Sequence, residues 1–188
     1  MRNIAIFVSG GGTNCENIIR YFKGSEKIAV RLVVSNRADA FALVRAERLG
    51  IPTAVVTKAE LNDPDGPTLP LLQQYDTDAI VLAGFLPLVP TWLIDAFPRA
   101  IINLHPALLP KFGGKGMYGH HVHEAVKAAG ETETGMTVHY VSPVCDGGDI
   151  IAQFRTPLSP EDSVEDIAEK EHQLEMNHFP QVIEQVFG

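Results

Sequence analysis

An amide and an imidazole stand two positions apart at the end of a short apolar run, residues 100–104. Because side chains alternate along a β-strand, Asn103 and His105 are predicted to point to the same side of that strand. Ligands of open α/β sheets bind at the carboxyl ends of strands, so this pair could stabilise an oxyanion there. A lone strand-end histidine more often bonds a neighbouring loop, and it is the pairing with Asn103 that favours chemistry.

A carboxylate follows in the turn-rich segment 142–148. Asp146 precedes two glycines there, which is also the ordinary composition of a structural Asp-Gly turn. A carboxylate close to an imidazole favours the protonated ring, which can then donate a proton. Residue types alone leave both roles open for Asp146. The adjacent Cys145 has no histidine near it in sequence, which favours a small turn residue over a thiol nucleophile.

A glycine-rich turn, residues 9–14 with the sequence SGGGTN, joins an apolar run to a segment with helical spacing. The dinucleotide-binding pattern needs a third glycine where Cys15 stands, and no Gly-Lys-Ser or Gly-Lys-Thr of a Walker motif occurs. The turn alone fits a tight connection and a phosphate site equally well. The side-chain donors of Thr13 and Asn14 favour a phosphate monoester.

The elements that must position these groups alternate between β-favouring and helical patterns over the first hundred residues. Strands that are apolar on both faces and alternate with helices predict a Rossmann-like α/β fold, a mostly parallel sheet flanked by helices. After His105 the pattern changes to a C-terminal antiparallel hairpin around segment 142–148. We expect Pro180 to bend or interrupt the last helix. The predicted strands are 4–8, 28–34, 53–56, 79–82, 100–104, 137–141 and 150–154, and the predicted helices are 14–22, 40–49, 69–75 and one that starts near Ser163.

Composition bounds the class of protein. The chain has 188 residues, 45% of them hydrophobic, and a formal charge of -8, which disfavours nucleic acid and anionic membranes as partners. Its longest apolar segment, residues 79–89, is broken by Pro87 and is too short to cross a bilayer. Two cysteines form no disulfide framework. We therefore expect one soluble, cytoplasmic domain over residues 1–188.

Three histidines, at positions 120, 121 and 123, could suggest a metal site. They stand at the predicted start of a helix, where adjacent side chains point in different directions and make a poor chelate. Ordinary surface histidines are the better interpretation, and no metal is expected.

Five segments together resemble the phosphoribosylglycinamide formyltransferase family of purine synthesis, over nearly the whole chain. They are SGGGTN at 9–14, LAGF at 82–85, NLHPALLPK at 103–111, TVH at 137–139 and DGG at 146–148. The His-Pro-x-Leu-Leu-Pro segment with a later Asp-Gly-Gly is shared by folate-dependent formyl hydrolases and transferases, so it implies the chemistry. The glycine turn implies the substrate. The implied formyltransferase fold has a phosphate-binding Rossmann-like part, 1–100, and a catalytic and folate-binding part, 101–188.

The resemblance also implies roles for individual residues. His105 would be the general acid or cationic oxyanion stabiliser, Asn103 would donate to the formyl oxygen, and Asp146 would hold His105 protonated and relay protons. The formyl donor would be 10-formyltetrahydrofolate, the acceptor the amine of 5-phosphoribosylglycinamide, and the enzyme a monomer or weak homodimer. Implied substrate contacts are Gly11, Gly12, Thr13 and Asn14 for the phosphate, His172 and Glu175 for the rest of that substrate, and Phe85, Leu86, Pro87, Leu88, Val89, Asn103, Ser142, Val144 and Cys145 for the folate.

Two features depart from the family pattern. Pro87 stands where many relatives carry an arginine, so a contact to the glutamate tail of the folate must come from elsewhere. Segment 112–121 is longer and richer in glycine than the usual connection, and we predict that it acts as a mobile lid.

Three alternatives remain at this stage. Enzymes that transfer a formyl group to initiator methionyl-tRNA use the same motif with an added nucleic-acid-binding domain, and formyltetrahydrofolate hydrolases carry an extra N-terminal domain. The length of this chain disfavours both. A non-catalytic phosphate-binding module would use the glycine turn alone.

Overall fold

A computed structural model describes residues 1–188, which form one seven-stranded sheet with helices on both faces. The strand order is β3-β2-β1-β4-β5-β6-β7. The strands are β1 Arg2–Val8, β2 Ile28–Ser35, β3 Thr53–Val55, β4 Ala79–Leu82, β5 Ile101–His105, β6 Glu133–Tyr140 and β7 Ile150–Pro157. The helices are α1 Thr13–Tyr21, α2 Phe41–Arg48, α3 Lys58–Asn62, α4 Thr68–Gln74, α5 Thr91–Ala96, α6 His120–Ala128 and α7 Val164–Phe187.

Strands β1 to β5 pair in parallel, and β6 and β7 join them in antiparallel fashion. Successive side chains of β1 point to opposite faces of the sheet, so alternate residues pack into two hydrophobic cores, one on each face. Ile4 and Ile6 pack under α1, α2 and α7, whereas Ala5 and Phe7 pack under α3, α4 and α5. The predicted mostly parallel sheet with a C-terminal antiparallel hairpin is confirmed.

Two short helices, α3 and α5, were not predicted, since five and six residues offer too little periodicity to read. None of the helices combines the length and apolar character that crossing a bilayer requires. Helix α7 runs through Pro180 to Phe187, so the helix is not interrupted there, and a bend at Pro180 stays a prediction. Proline lacks the N–H that would bond residue 176, and the Asn17 amide Nδ2 donates to the Met176 carbonyl instead, at 2.9 Å.

The carboxyl ends of β1, β4 and β5 lie side by side. Phe7 is paired with Leu82, and Leu82 is paired with Asn103. Neighbouring strands are separated by roughly 4.8 Å, so the start of the glycine turn lies about 10 Å from Asn103. The topology therefore brings the glycine turn and the Asn103–His105 pair to one edge of the sheet.

Candidate active site

Asn103 is held by a histidine on the neighbouring strand. The register pairs Asn103 with His139, and Asn103 Nδ2 lies 3.0 Å from His139 Nε2. His139 Nδ1 lies 2.9 Å from the Tyr140 carbonyl, which can only accept, so Nδ1 carries the proton and Nε2 accepts from Asn103. Burial lowers the pKa of His139, which favours this neutral form. The second amide hydrogen of Asn103 is free for a ligand.

His105 is oriented by a backbone carbonyl from the glycine-rich segment 112–121. Its ring is buried, and Nε2 donates to the Phe112 carbonyl at 2.7 Å. Since a carbonyl cannot donate, Nε2 keeps its proton and Nδ1 is the nitrogen that can exchange one. Nδ1 lies 3.6 Å from Asp146 Oδ2, which is longer than a hydrogen bond.

Asp146 lies between the two histidines. Oδ2 accepts from the Gly114 N–H at 2.9 Å, and Oδ1 lies 3.7 Å from His139 Nε2. Asp146 adopts a left-handed backbone with φ of 54°. Two residues later, at position 148, only glycine fits, because a Cβ there would lie 1.7 Å from the Tyr140 carbonyl oxygen. The backbone of Asp146 and the close approach at Gly148 shape the turn in which this carboxylate lies near His105.

Thr137, which is paired with His105 in the sheet, anchors the segment that follows His105 through hydrogen bonds. The buried Thr137 hydroxyl donates to the Ala107 carbonyl at 2.7 Å and accepts from the Leu109 N–H at 3.1 Å. Gln153 also bonds this hydroxyl and the Leu109 carbonyl, at 3.0 and 2.8 Å. These bonds make the exit from β5 rigid, which holds the His105 ring in place.

The glycine turn presents unused donors at the same edge of the sheet. The backbone N–H groups of Gly10, Gly11 and Gly12 make no hydrogen bond within the protein. They precede α1, whose N-terminus adds a favourable field for an anion. The Asn14 side chain is not free, since Nδ2 donates to Glu175 Oε2 at 2.9 Å. What Asn14 offers a phosphate is therefore its backbone N–H.

Glu175 and His172 extend the site along α7. His172 Nδ1 lies 3.6 Å from Glu175 Oε2, and the carboxylate raises the pKa of His172. Both line a polar cavity of about 410 Å³, together with His120, His123, Glu165, Ala168 and Glu169. The cavity is rich in groups that could bond hydroxyl groups of a sugar.

The predicted folate segments carry exposed apolar side chains. Leu86, Leu88 and Val144 are 54%, 65% and 67% exposed. Phe85 differs, because its ring packs edge-to-face on Phe7 with centroids 5.3 Å apart. It supports the segment from the core. The remaining predicted folate residues, Pro87, Val89, Ser142 and Cys145, are partly buried.

Sequence reasoning missed three participants and misplaced one residue. His139 could have been found, because alternation places it on the same side as Thr137 in a strand predicted to form the hairpin. The Phe112 carbonyl and the Gly114 N–H could not be predicted, because backbone atoms are common to all residue types.

The interpretation of His123 as a surface residue was wrong, since its Nδ1 lies 2.5 Å from the buried Glu171. No group of three His, Cys, Asp or Glu side chains is arranged to hold a metal ion.

The chain is similar to known formyltransferases in sequence. A family model described as formyl transferase matches residues 2–183. A phosphoribosylglycinamide formyltransferase of Haemophilus influenzae is 37% identical over 97% of this chain and 86% of its own length. A chloroplastic one of Arabidopsis thaliana is 40% identical over 92% of this chain. The chain spans 62% and 58% of the Arabidopsis thaliana and Vigna unguiculata proteins.

The fold is similar as well. Glycinamide ribonucleotide transformylase 1 of Geobacillus kaustophilus has a TM-score of 0.88 and 33% identity, with full coverage of both chains. Phosphoribosylglycinamide formyltransferase of Coxiella burnetii has a TM-score of 0.86 and 36% identity over 97% of this chain and 85% of that one. With the family model matching nearly every residue, this chain belongs to the formyl transferase family.

Proposed function

We propose that this chain transfers the formyl group of 10-formyltetrahydrofolate to the amine of 5-phosphoribosylglycinamide, a step of de novo purine (IMP) biosynthesis. The names of the relatives support formyl transfer to phosphoribosylglycinamide, and the folate donor follows from the resemblance in sequence motifs. The observation that carries the proposal is the juxtaposition of the His105 ring and the Asp146 carboxylate, 3.6 Å apart, beside the free amide hydrogen of Asn103.

The chemistry follows from the placement of hydrogen-bond donors. The amine attacks the formyl carbon, a C–N bond forms, and negative charge develops on the formyl oxygen. Asn103 Nδ2 and protonated His105 Nδ1 are the donors that stabilise this oxyanion. The bond between the formyl carbon and the folate N10 then breaks. The proton lost by the amine ends on that folate nitrogen, with Asp146 as the relay.

The two substrates approach from different parts of the sheet edge. The glycine turn binds the phosphate through the N–H groups of Gly11 and Gly12 and the first residues of α1, Thr13 and Asn14. Glu175 and His172 bond the ribose portion. Residues 1–100 supply the phosphate-binding turn and the folate contacts at 85–89, and residues 101–188 supply the catalytic residues and the remaining folate contacts.

The folate binds against the exposed apolar side chains of Leu86, Leu88 and Val144. Burying such side chains contributes roughly 25 cal/mol per Å² of apolar surface. No metal is needed for this step, because two protein donors stabilise the oxyanion and the reaction exchanges no electrons.

A two-substrate assay tests the proposal. The absorbance change of 10-formyltetrahydrofolate is followed with both substrates, and with each omitted in turn, while mass spectrometry detects the formylated amine. We expect turnover only when both are present. Consumption of the folate without the amine would indicate a formyl hydrolase instead. Binding of the phosphoribosyl compound with no folate consumed would indicate a phosphate-binding module.

A further inference from the structure

The carbonyl groups of the three glycines in the turn all accept hydrogen bonds from protein donors. The Gly10 carbonyl accepts from the Ala42 N–H at 3.0 Å, and the Gly12 carbonyl accepts from the Glu16 N–H at 2.9 Å. The Gly11 carbonyl accepts from a side chain, Arg45 Nε, at 2.8 Å. The N–H groups of the same glycines are left unpaired, so the turn separates its acceptors from its donors.

Arg45 is itself held firmly. Its NH1 group forms an ion pair with Glu16 in the first turn of α1, and its guanidinium lies over the Phe41 ring, 5.0 Å from the centroid. The Arg45 side chain is 29% exposed. Its contact with Glu16 lowers the pKa of that carboxyl, which keeps the ion pair charged.

The backbone is confined at Gly12 but not at Gly11, where a Cβ would meet no atom within 4 Å. Gly12 has a φ of 79°, and a Cβ there would lie 2.4 Å from the Ala42 Cβ. Gly12 therefore packs directly against Ala42 of α2. A carbonyl that lost its partner at Gly11 could swing toward the anion and repel it.

We propose that Arg45 is a positioning residue for anion binding. Its guanidinium holds the Gly11 carbonyl toward α2, so that the N–H groups of the turn remain directed at a bound phosphate. The inference rests on the proposed function, in which this turn binds the phosphate of the substrate. The ion pair with Glu16 fixes the guanidinium, and the residue contacts neither the reacting atoms nor the folate.

Arg48→Met provides a matched control for Arg45→Met. Arg48 lies on the same helix, with its guanidinium 5.6 Å from the same Phe41 ring, and both variants lose one positive charge. Inorganic phosphate, titrated by calorimetry, is the direct probe. The KM values for both substrates and kcat are measured in parallel, and circular dichroism checks folding.

We expect Arg45→Met to weaken phosphate binding and raise the KM of the phosphorylated substrate by about 10-fold or more, from the typical strength of a charged hydrogen bond. The folate KM and kcat should stay near wild type, and Arg48→Met should match wild type. Equal phosphate affinity in Arg45→Met and Arg48→Met would overturn the inference, as would a wild-type protein that does not bind phosphate. A variant in which both KM values rise and kcat falls by similar factors would also overturn it.

Arg45→Lys covers the case in which Arg45→Met does not fold. Lysine keeps the charge but loses the fork that bonds Gly11 and Glu16 together, so phosphate affinity should fall while that of Arg48→Lys does not. Wild-type affinity in Arg45→Lys would then overturn the inference. If the wild type binds phosphate in an Arg45-dependent manner but transfers no formyl group, the proposed function fails and the positioning role stands.

Discussion

At the residue scale, two histidines flank Asp146 with opposite hydrogen-bond environments. His139 donates from Nδ1 to a carbonyl and accepts from Asn103, a pattern that only the neutral ring satisfies. His105 donates from Nε2 to the Phe112 carbonyl and turns Nδ1 toward Asp146. The same carboxylate therefore lies beside one ring that orients an amide and one that supplies a proton in the proposed mechanism.

Removing either member of the His105–Asp146 pair should slow formyl transfer without abolishing substrate binding. We expect His105→Ala and Asp146→Asn each to reduce kcat by about 10² or more, the usual contribution of general acid–base catalysis. Phosphate affinity should survive, because the glycine turn is separate. Asp65→Asn is a suitable control, since that carboxylate is exposed in the loop between α3 and α4, away from the site. Near-normal turnover in either variant would refute the assigned roles.

His139 should act through Asn103, and two substitutions separate this from simple packing. In His139→Gln the side-chain oxygen can still accept from Asn103, whereas His139→Leu leaves that amide without its partner. We expect kcat to fall about 10-fold in the leucine variant, from the cost of an unpaired buried group. The glutamine variant should recover most of the activity. Equal kcat losses in two folded variants would contradict this role.

The lowered pKa of His139 should make stability depend on pH. Below about pH 6.5 the unfolded chain binds a proton at this histidine that the folded protein does not, so the free energy of unfolding falls as pH falls. The contribution is fully present above that pH, and its slope is at most about 1.4 kcal/mol per pH unit. The other titratable groups near the ring are Asp146 and His105.

Urea denaturation of wild type and His139→Gln at pH 7.5 and 5.5 measures this dependence. The wild type should lose more stability than the variant on acidification, because glutamine does not titrate. The prediction fails if the two proteins lose the same amount.

At the element scale, the sequence pattern was sufficient to predict strands but not to predict contacts between elements that are distant in the chain. The run at residues 4–8 is apolar on both faces, and the structure buries it from both sides. Likewise, the predicted hairpin follows from two β-favouring runs around one turn. By contrast, Pro180 looked like a break because its compensating partner, Asn17, lies 159 positions from the carbonyl it bonds. The same holds for His123, whose partner Glu171 belongs to another helix.

The glycine-rich segment 112–121 shows a similar limit. Its predicted role as a lid stays a prediction. The first residues of the segment are tied to the site through the Phe112 carbonyl and the Gly114 N–H. Any movement that frees the rest of the segment must keep or replace these two bonds, because they orient His105 and Asp146.

The bond from Asn17 to the Met176 carbonyl should account for the continuity of α7. Asn17→Ala leaves that carbonyl unpaired and should destabilise the protein by about 1–2 kcal/mol. In a Pro180→Ala background the alanine N–H can donate to Met176, so Asn17→Ala should cost less. A double-mutant cycle by urea denaturation gives the coupling, with the exposed Asn177→Ala as control. Additive losses would show that the two residues do not compensate each other.

At the scale of the whole molecule, the two proposed parts share one core. The face of the sheet that carries Ile4 and Ile6 is covered by α1 and α2 from the first part and by Phe179 and Ile183 of α7. Strand β4 also pairs with β5 across the proposed boundary at residue 100. Even the glycine turn depends on the second part, through the bond between Asn14 and Glu175.

The chain should therefore unfold as a single cooperative unit. Trp92, the only tryptophan, donates to the Leu61 carbonyl and reports on the face covered by α3 to α5, whereas far-ultraviolet circular dichroism reports on all elements. We expect coincident urea transitions by the two probes. The fragment 1–100 should stay unfolded and should not bind phosphate, because it loses α7 from its core and Glu175 from its turn. Two separate transitions, or a folded fragment 1–100, would show that the phosphate-binding part is an independent domain.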